Sequence, residues 1–128
     1  MGCLSSMIGS SNNWSKENNM MERLFFIDFE RSCLRTMNSE LTHDQQLCNW
    51  AMGLCGESGE YSELIKKHVF HGKPLDKAEA LKELGDCLYY LTAACISLGS
   101  SIEEVAKFNM EKLQKRYPDG FVKGGGNR

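Results

Sequence analysis

Apolar residues recur every three or four positions along most of this chain, the spacing of one face of an α-helix. Between residues 20 and 37, Met21, Phe25, Phe29 and Cys33 fall at successive i+4 positions and predict a first helix with one apolar stripe. Residues 38–41 interrupt it. Thr42 followed by Gln45 is a capping-box pair, each side chain satisfying the other's backbone N–H, so a second helix is expected from there to about residue 69. His71-Gly72-Lys73-Pro74-Leu75 reads as a loop. Asp76 with Glu79 caps a third helix that Gly99 ends, and Ser101 with Glu104 caps a fourth, closed by Tyr117-Pro118-Asp119-Gly120. In the third helix Leu81, Leu84, Leu88, Leu91, Cys95 and Leu98 define the expected core stripe. No stretch alternates convincingly as a strand would. The pattern predicts an all-α chain of four helices.

Composition narrows what such a chain can be. Its 128 residues suit one domain, and fifteen basic against seventeen acidic side chains leave a net charge of −2. That balance lacks the basic surplus of a general nucleic-acid binder, so no nucleic-acid partner is expected. No membrane partner is expected either, since the best apolar run, 88–98, is interrupted by Thr92 and Ser97 and falls well short of a span. Six cysteines include no C-x-x-C pair, which disfavours structural zinc. His68 and His71 stand at i, i+3 but lack a third nitrogen or sulfur ligand nearby, so solvated histidines are expected. With no secretory apolar region, a reducing, cytoplasmic setting is expected.

The fold is expected in residues 20–121, between a polar, disordered leader at 1–19 and a flexible glycine-rich tail at 122–128. Met1-Gly2-Cys3-Leu4-Ser5-Ser6 also matches an N-myristoylation pattern, a competing reading of the same leader.

Chemistry enters through the placement of acid. In the second helix Trp50, Gly53, Glu57, Glu60 and Leu64 share one stripe, which puts two glutamates where the pattern expects interior. In the third, Glu83, Asp86, Tyr90 and Ala93 repeat with the same rhythm at the border of the leucine stripe. Four facing carboxylates cannot all remain ionised without a multivalent cation among them. An all-oxygen donor set without sulfur or imidazole suits Mg²⁺ or Mn²⁺. Solvated acids on a flexible Gly53–Gly59 loop are the plainer alternative. Gly53, Gly56 and Gly59 lie inside the predicted helix, where close approach of a neighbour or ligand would offset their helix-weakening effect. On the fourth helix the stripe begun by Ile102 and Val105 continues as Asn109, Lys112 and Arg116, an amide and two cations suited to a polyphosphate. Their plainer reading is a pair of cations favourable at a helix C-terminus.

Three blocks in order carry a resemblance: Gly53-Leu-Cys-Gly-Glu-Ser-Gly-Glu60, then Lys82-Glu-Leu-Gly-Asp86 with Leu88-Tyr-Tyr-Leu91, then Asn109-Met-Glu-Lys-Leu-Gln-Lys-Arg-Tyr-Pro118. Together they resemble the MazG-like nucleotide pyrophosphohydrolases of the all-α NTP pyrophosphatase superfamily. Glu57 and Glu60 match that family's E-x-x-E, and Glu83 and Asp86 match its E-x-x-D after 22 intervening residues.

The resemblance implies a four-helix core assembling as a dimer or tetramer, with Mg²⁺ held by Glu57, Glu60, Glu83 and Asp86. It implies cleavage of a nucleoside triphosphate to monophosphate and pyrophosphate, for nucleotide-pool cleaning or balance. Asn109, Lys112 and Arg116 match the family's phosphate-engaging tail. For the catalytic base Glu60 and the nearby Glu63 are both candidates, while Tyr90 and Trp50 are candidates for stacking on the base or for core packing. A phosphoribosyl-ATP pyrophosphohydrolase and a non-catalytic helical regulatory module are the alternative functions.

Overall fold

A computed structural model describes the backbone of residues 14–121 and the side chains of residues 25–121. Among them four helices and no strands occur: α1 (Trp14–Thr36), α2 (His43–His71), α3 (Lys77–Ser97) and α4 (Ile102–Arg116). The myristoylation pattern and the glycine-rich tail lie outside the described residues. Part of the expected leader does not, because α1 begins at Trp14 and takes in Lys16-Glu17-Asn18-Asn19. That polar run holds no proline or glycine to break a helix, and the absence of apolar residues concealed it.

The helix ends follow the local chemistry read from the chain. Thr42 Oγ1 accepts from Gln45 N–H at 3.3 Å while Gln45 Oε1 accepts from Thr42 N–H at 2.9 Å, closing the capping box of α2. Asp76 Oδ1 accepts from the N–H groups of Ala78 and Glu79 at 3.0 and 3.1 Å, and Ser101 Oγ from Glu104 N–H at 3.1 Å. Gly72 ends α2 in the left-handed region at φ 65°, a conformation costly for any residue with a Cβ. His68 Nδ1 lies 2.9 Å from the Lys73 carbonyl, so this histidine serves the turn.

Helices α2 and α3 form an antiparallel hairpin, the main packing unit; α1 lies on α3, and α4 touches α3 and α1 but makes no contact with α2. Among the described residues the buried side chains are Cys33, Trp50, Ala80, Thr92, Ala93, Cys95 and Ile102, mostly small ones that let helices approach closely. Thr92, although polar, is satisfied internally: its hydroxyl donates to the Leu88 carbonyl at 2.7 Å. Burial and the neighbouring Glu30 push the Cys33 and Cys95 thiols up, so both act as small apolar groups. Glu30 Oε1 accepts from Ile102 N–H at 2.9 Å, tying α1 to the start of α4.

The expected core stripes need correction. Leu81, Leu84 and Leu98 of α3 are exposed, as is Phe25 of α1, while Cys95 and Cys33 are buried as expected. One face of α3 packs on α2 and a limited stretch meets α1 and α4, which leaves the outer leucines exposed among the described residues. Past Ile102, α4 is solvent-exposed apart from the partly covered Glu103, with Phe108, Met110 and Leu113 open. Met110, Leu113, Gln114, Tyr117 and Phe121 line an apolar groove on it.

Candidate metal centre

The helical hairpin brings the acids together because its two arms run in opposite directions at fixed register. Ser97 Oγ donates to Gln46 Oε1 at 3.5 Å and accepts from Trp50 Nε1 at 2.9 Å, locking the start of α2 against the end of α3. One step along, Gly53 faces the ring of Tyr90. The following turns of α2 carry Glu57 and Glu60, and the preceding turns of α3 carry Asp86 and Glu83. The helix runs unbroken through Gly53, Gly56 and Gly59, so these acids are held on a rigid element and not on a loop.

Carboxylate oxygens of Glu57, Glu60 and Glu83 lie within 4.8 Å of one another. Glu57 and Glu83 are half-buried, and Glu60 and Asp86 are exposed. Asp86 is outside that tight trio but close enough to act on Glu57. Partial burial, then the charges of Glu60, Asp86 and Glu83, hold the Glu57 carboxyl above its ordinary range, and a hydrogen bond with Glu83 adds to the effect. Among the described ion pairs none includes Glu57, Glu60, Glu83 or Asp86. Like charges this close, with no ion pair among the described residues to neutralise them, offer an all-oxygen donor set of the kind that suits a hard divalent cation.

Glu63 is placed differently. It pairs with Lys66 and with Lys67, the latter at 3.4 Å, and Lys66 foremost holds its carboxyl below the ordinary range. It is not brought into the trio and is a weaker proton acceptor than Glu57.

The aromatic candidates belong to the packing. Trp50 is only 3% exposed and its indole N–H is taken by Ser97. Its ring meets Tyr89 edge-on at 6.5 Å and Tyr90 at 6.3 Å. Of the two readings open for Trp50, its burial favours core packing over an open stacking surface; a helical stripe alone does not distinguish a site wall from the interior behind it. Tyr90 is half-buried against Trp50, Tyr89 and Gly53. Gly53 thus has the close neighbour its position called for, whereas Gly56 and Gly59 face open space within the chain.

Asn109, Lys112 and Arg116 are exposed on α4, and with no α2–α4 contact the chain does not pack them against the carboxylates. Helical periodicity placed them on one face without revealing which way α4 departs from the hairpin. Among the described residues no helix is long and apolar enough to cross a membrane.

Residues 45–121 match the MazG nucleotide pyrophosphohydrolase domain. The chain is also 33% identical over 82 residues to the Gene 37 protein of Mycobacterium phage L5, an overlap of 59% of this chain and 70% of the phage protein. No solved structure matches it significantly. The matched region contains all four carboxylates and the whole of α3 and α4.

Proposed function

This chain belongs to the MazG nucleotide pyrophosphohydrolase family, and from that premise we propose that it hydrolyses nucleoside or deoxynucleoside triphosphates to monophosphate and pyrophosphate with Mg²⁺, in a cytoplasmic setting. The observation that carries the reading is the trio of Glu57, Glu60 and Glu83 within 4.8 Å, none of which forms an ion pair among the described residues. Its all-oxygen character fits Mg²⁺, with Mn²⁺ as substitute. These three, with Asp86 beside them, are the residues that would hold the ion. When bound, the ion supplies Lewis-acid polarisation of the phosphoryl oxygens.

The chain's own groups supply the rest. Glu60, the exposed member of the trio, can reach an attacking water and accept its proton. Glu57, whose ionised form is disfavoured without a cation, is the ligand most relieved by one. Asn109, Lys112 and Arg116 would hold the phosphates, the two cations offsetting charge on the departing pyrophosphate. Self-association to a dimer or tetramer would bring an α4 face to a carboxylate cluster and cover the exposed leucines of α3 and the apolar groove of α4. The exposed apolar side chains of both helices support this assembly.

Pyrophosphate release from a panel of nucleoside and deoxynucleoside triphosphates with Mg²⁺, for wild type and Glu60→Gln, tests the proposal. Wild type is expected to turn over at least one nucleotide and the variant to lose about 10²–10⁴-fold. Equal inertness of both across the panel would sink the enzyme reading and leave a non-catalytic helical module. Turnover confined to phosphoribosyl-ATP, added as a further arm, would shift the substrate class.

A further inference from the structure

Gly53 and Tyr90 lie one turn from the carboxylates and meet across the hairpin. A Cβ built on Gly53 would overlap Cε1, Cδ1 and Cζ of Tyr90, the last at 2.5 Å. Carbon atoms in ordinary contact stand about 3.5–4.0 Å apart, so the ring or its helix would have to withdraw by more than about 1 Å. The ring could swing aside only by disturbing its contacts with Tyr89, at 5.3 Å and 80°, and Trp50, at 6.3 Å. The buried indole is itself held by Ser97. A methyl at position 53 would therefore displace α3 relative to α2 or force the aromatic trio to repack.

From Gly53 the next turn of α2 carries Glu57; from Tyr90 the preceding turn of α3 carries Asp86, and Glu83 follows. We infer that the Gly53–Tyr90 contact is the spacer that sets the distance between the two helices at the carboxylate cluster, which makes both residues positioning residues for the cation. Mg²⁺ and its analogues hold oxygen ligands at about 2.0–2.1 Å in a demanding octahedral geometry. A displacement of about 1 Å, harmless to most helix packing, is large on that scale. The inference rests on the reading of the cluster as a cation site, and it concerns how that site is held open to the correct width.

The test is Mn²⁺ binding by the full chain, read by electron paramagnetic resonance of free ion, with far-ultraviolet circular dichroism confirming folding at the same concentration. Gly53→Ala is expected to weaken Mn²⁺ binding by about 10–100-fold, the range for groups that position metal ligands. In Gly53→Ala/Tyr90→Leu, which makes room for the methyl, binding should recover part of that loss. Should Gly53→Ala fail to fold, Tyr90→Phe and Tyr90→Leu decide instead. Phenylalanine keeps the thickness of the ring and should bind as wild type, while leucine should bind more weakly. Wild-type affinity in folded Gly53→Ala overturns the inference, as does a double variant with no recovery, or equal affinity in the two Tyr90 variants. Absence of Mn²⁺ binding by wild type would instead overturn the cation-site reading.

Discussion

Trp50 offers the sharpest separation between a structural and a substrate-contacting role, and the size of the effect can be worked out in advance. Replacement by phenylalanine keeps an aromatic ring but removes the indole N–H that donates to Ser97 at 2.9 Å. The Ser97 hydroxyl retains Gln46 Oε1 at 3.5 Å, so the lost hydrogen bond should cost about 1 kcal/mol and not leave an orphan. The side chain is 3% exposed, and the volume vacated by the smaller ring adds a cavity contribution of about 1–2 kcal/mol. Trp50→Phe should therefore lose about 2–3 kcal/mol, a large fraction of the ~5–15 kcal/mol that holds such domains folded. Urea unfolding measured at one fixed protein concentration, because self-association shifts apparent stability, should show a lowered midpoint with little change in slope. KM for the best nucleotide should change by less than about twofold, under ~0.4 kcal/mol of binding. An unchanged urea midpoint together with KM raised about tenfold would refute the argument, since the indole would then be facing substrate and not the core.

Three further outcomes follow from the geometry. Since the folded-state pKa of Glu57 is raised, the folded chain takes up a proton before the unfolded chain as pH falls; metal-free stability should therefore rise as pH drops through the window between that raised value and the ordinary 4.5. Comparing thermal midpoints of wild type and Glu57→Gln across that window isolates the effect, and parallel pH profiles would contradict it. Glu63→Gln breaks only exposed pairs with Lys66 and Lys67, so activity should stay within about threefold of wild type and the urea midpoint should hardly move; a loss as deep as that of Glu60→Gln in the pyrophosphate assay would identify Glu63 as the base. Thr42→Ala removes the side-chain half of the α2 cap and should cost about 1 kcal/mol in urea unfolding, with an unmoved midpoint counting against the cap.

What could be read from the chain divides along a physical line. The caps at Thr42, Asp76 and Ser101 are interactions within three residues, so their chemistry is visible without knowledge of the fold. Glu57 and Glu60 were legible because they interrupt an otherwise apolar stripe, where charge is set against burial, and Glu83 because it repeats with the same rhythm at the border of the leucine stripe. Trp50 gave no such signal: an aromatic residue on the inner stripe is compatible with either core or site, and the partner that decides, Ser97, is 47 residues away. The exposed Leu81, Leu84 and Leu98 show the reverse difficulty. Periodicity reports that a face seeks burial, not whether the covering surface comes from the same molecule. The course of α4 was illegible for a related reason, because the direction in which a helix leaves a bundle depends on contacts such as Glu30 with the Ile102 amide, 72 residues apart.

The carboxylates all lie on one helical hairpin, whose arms are joined by only the five residues 72–76. Contacts so near in sequence close early in folding, before elements that must cross larger loops. The repulsion among Glu57, Glu60, Glu83 and Asp86 is then incurred at the start of the folding reaction and not at its end. A divalent cation in the refolding buffer should consequently quicken the folding limb of the chevron as well as slow the unfolding limb. If Mg²⁺ altered the unfolding rate alone, the arms of the hairpin would be meeting only after the transition state. The ion proposed for catalysis would in that case have no part in the order in which the chain assembles.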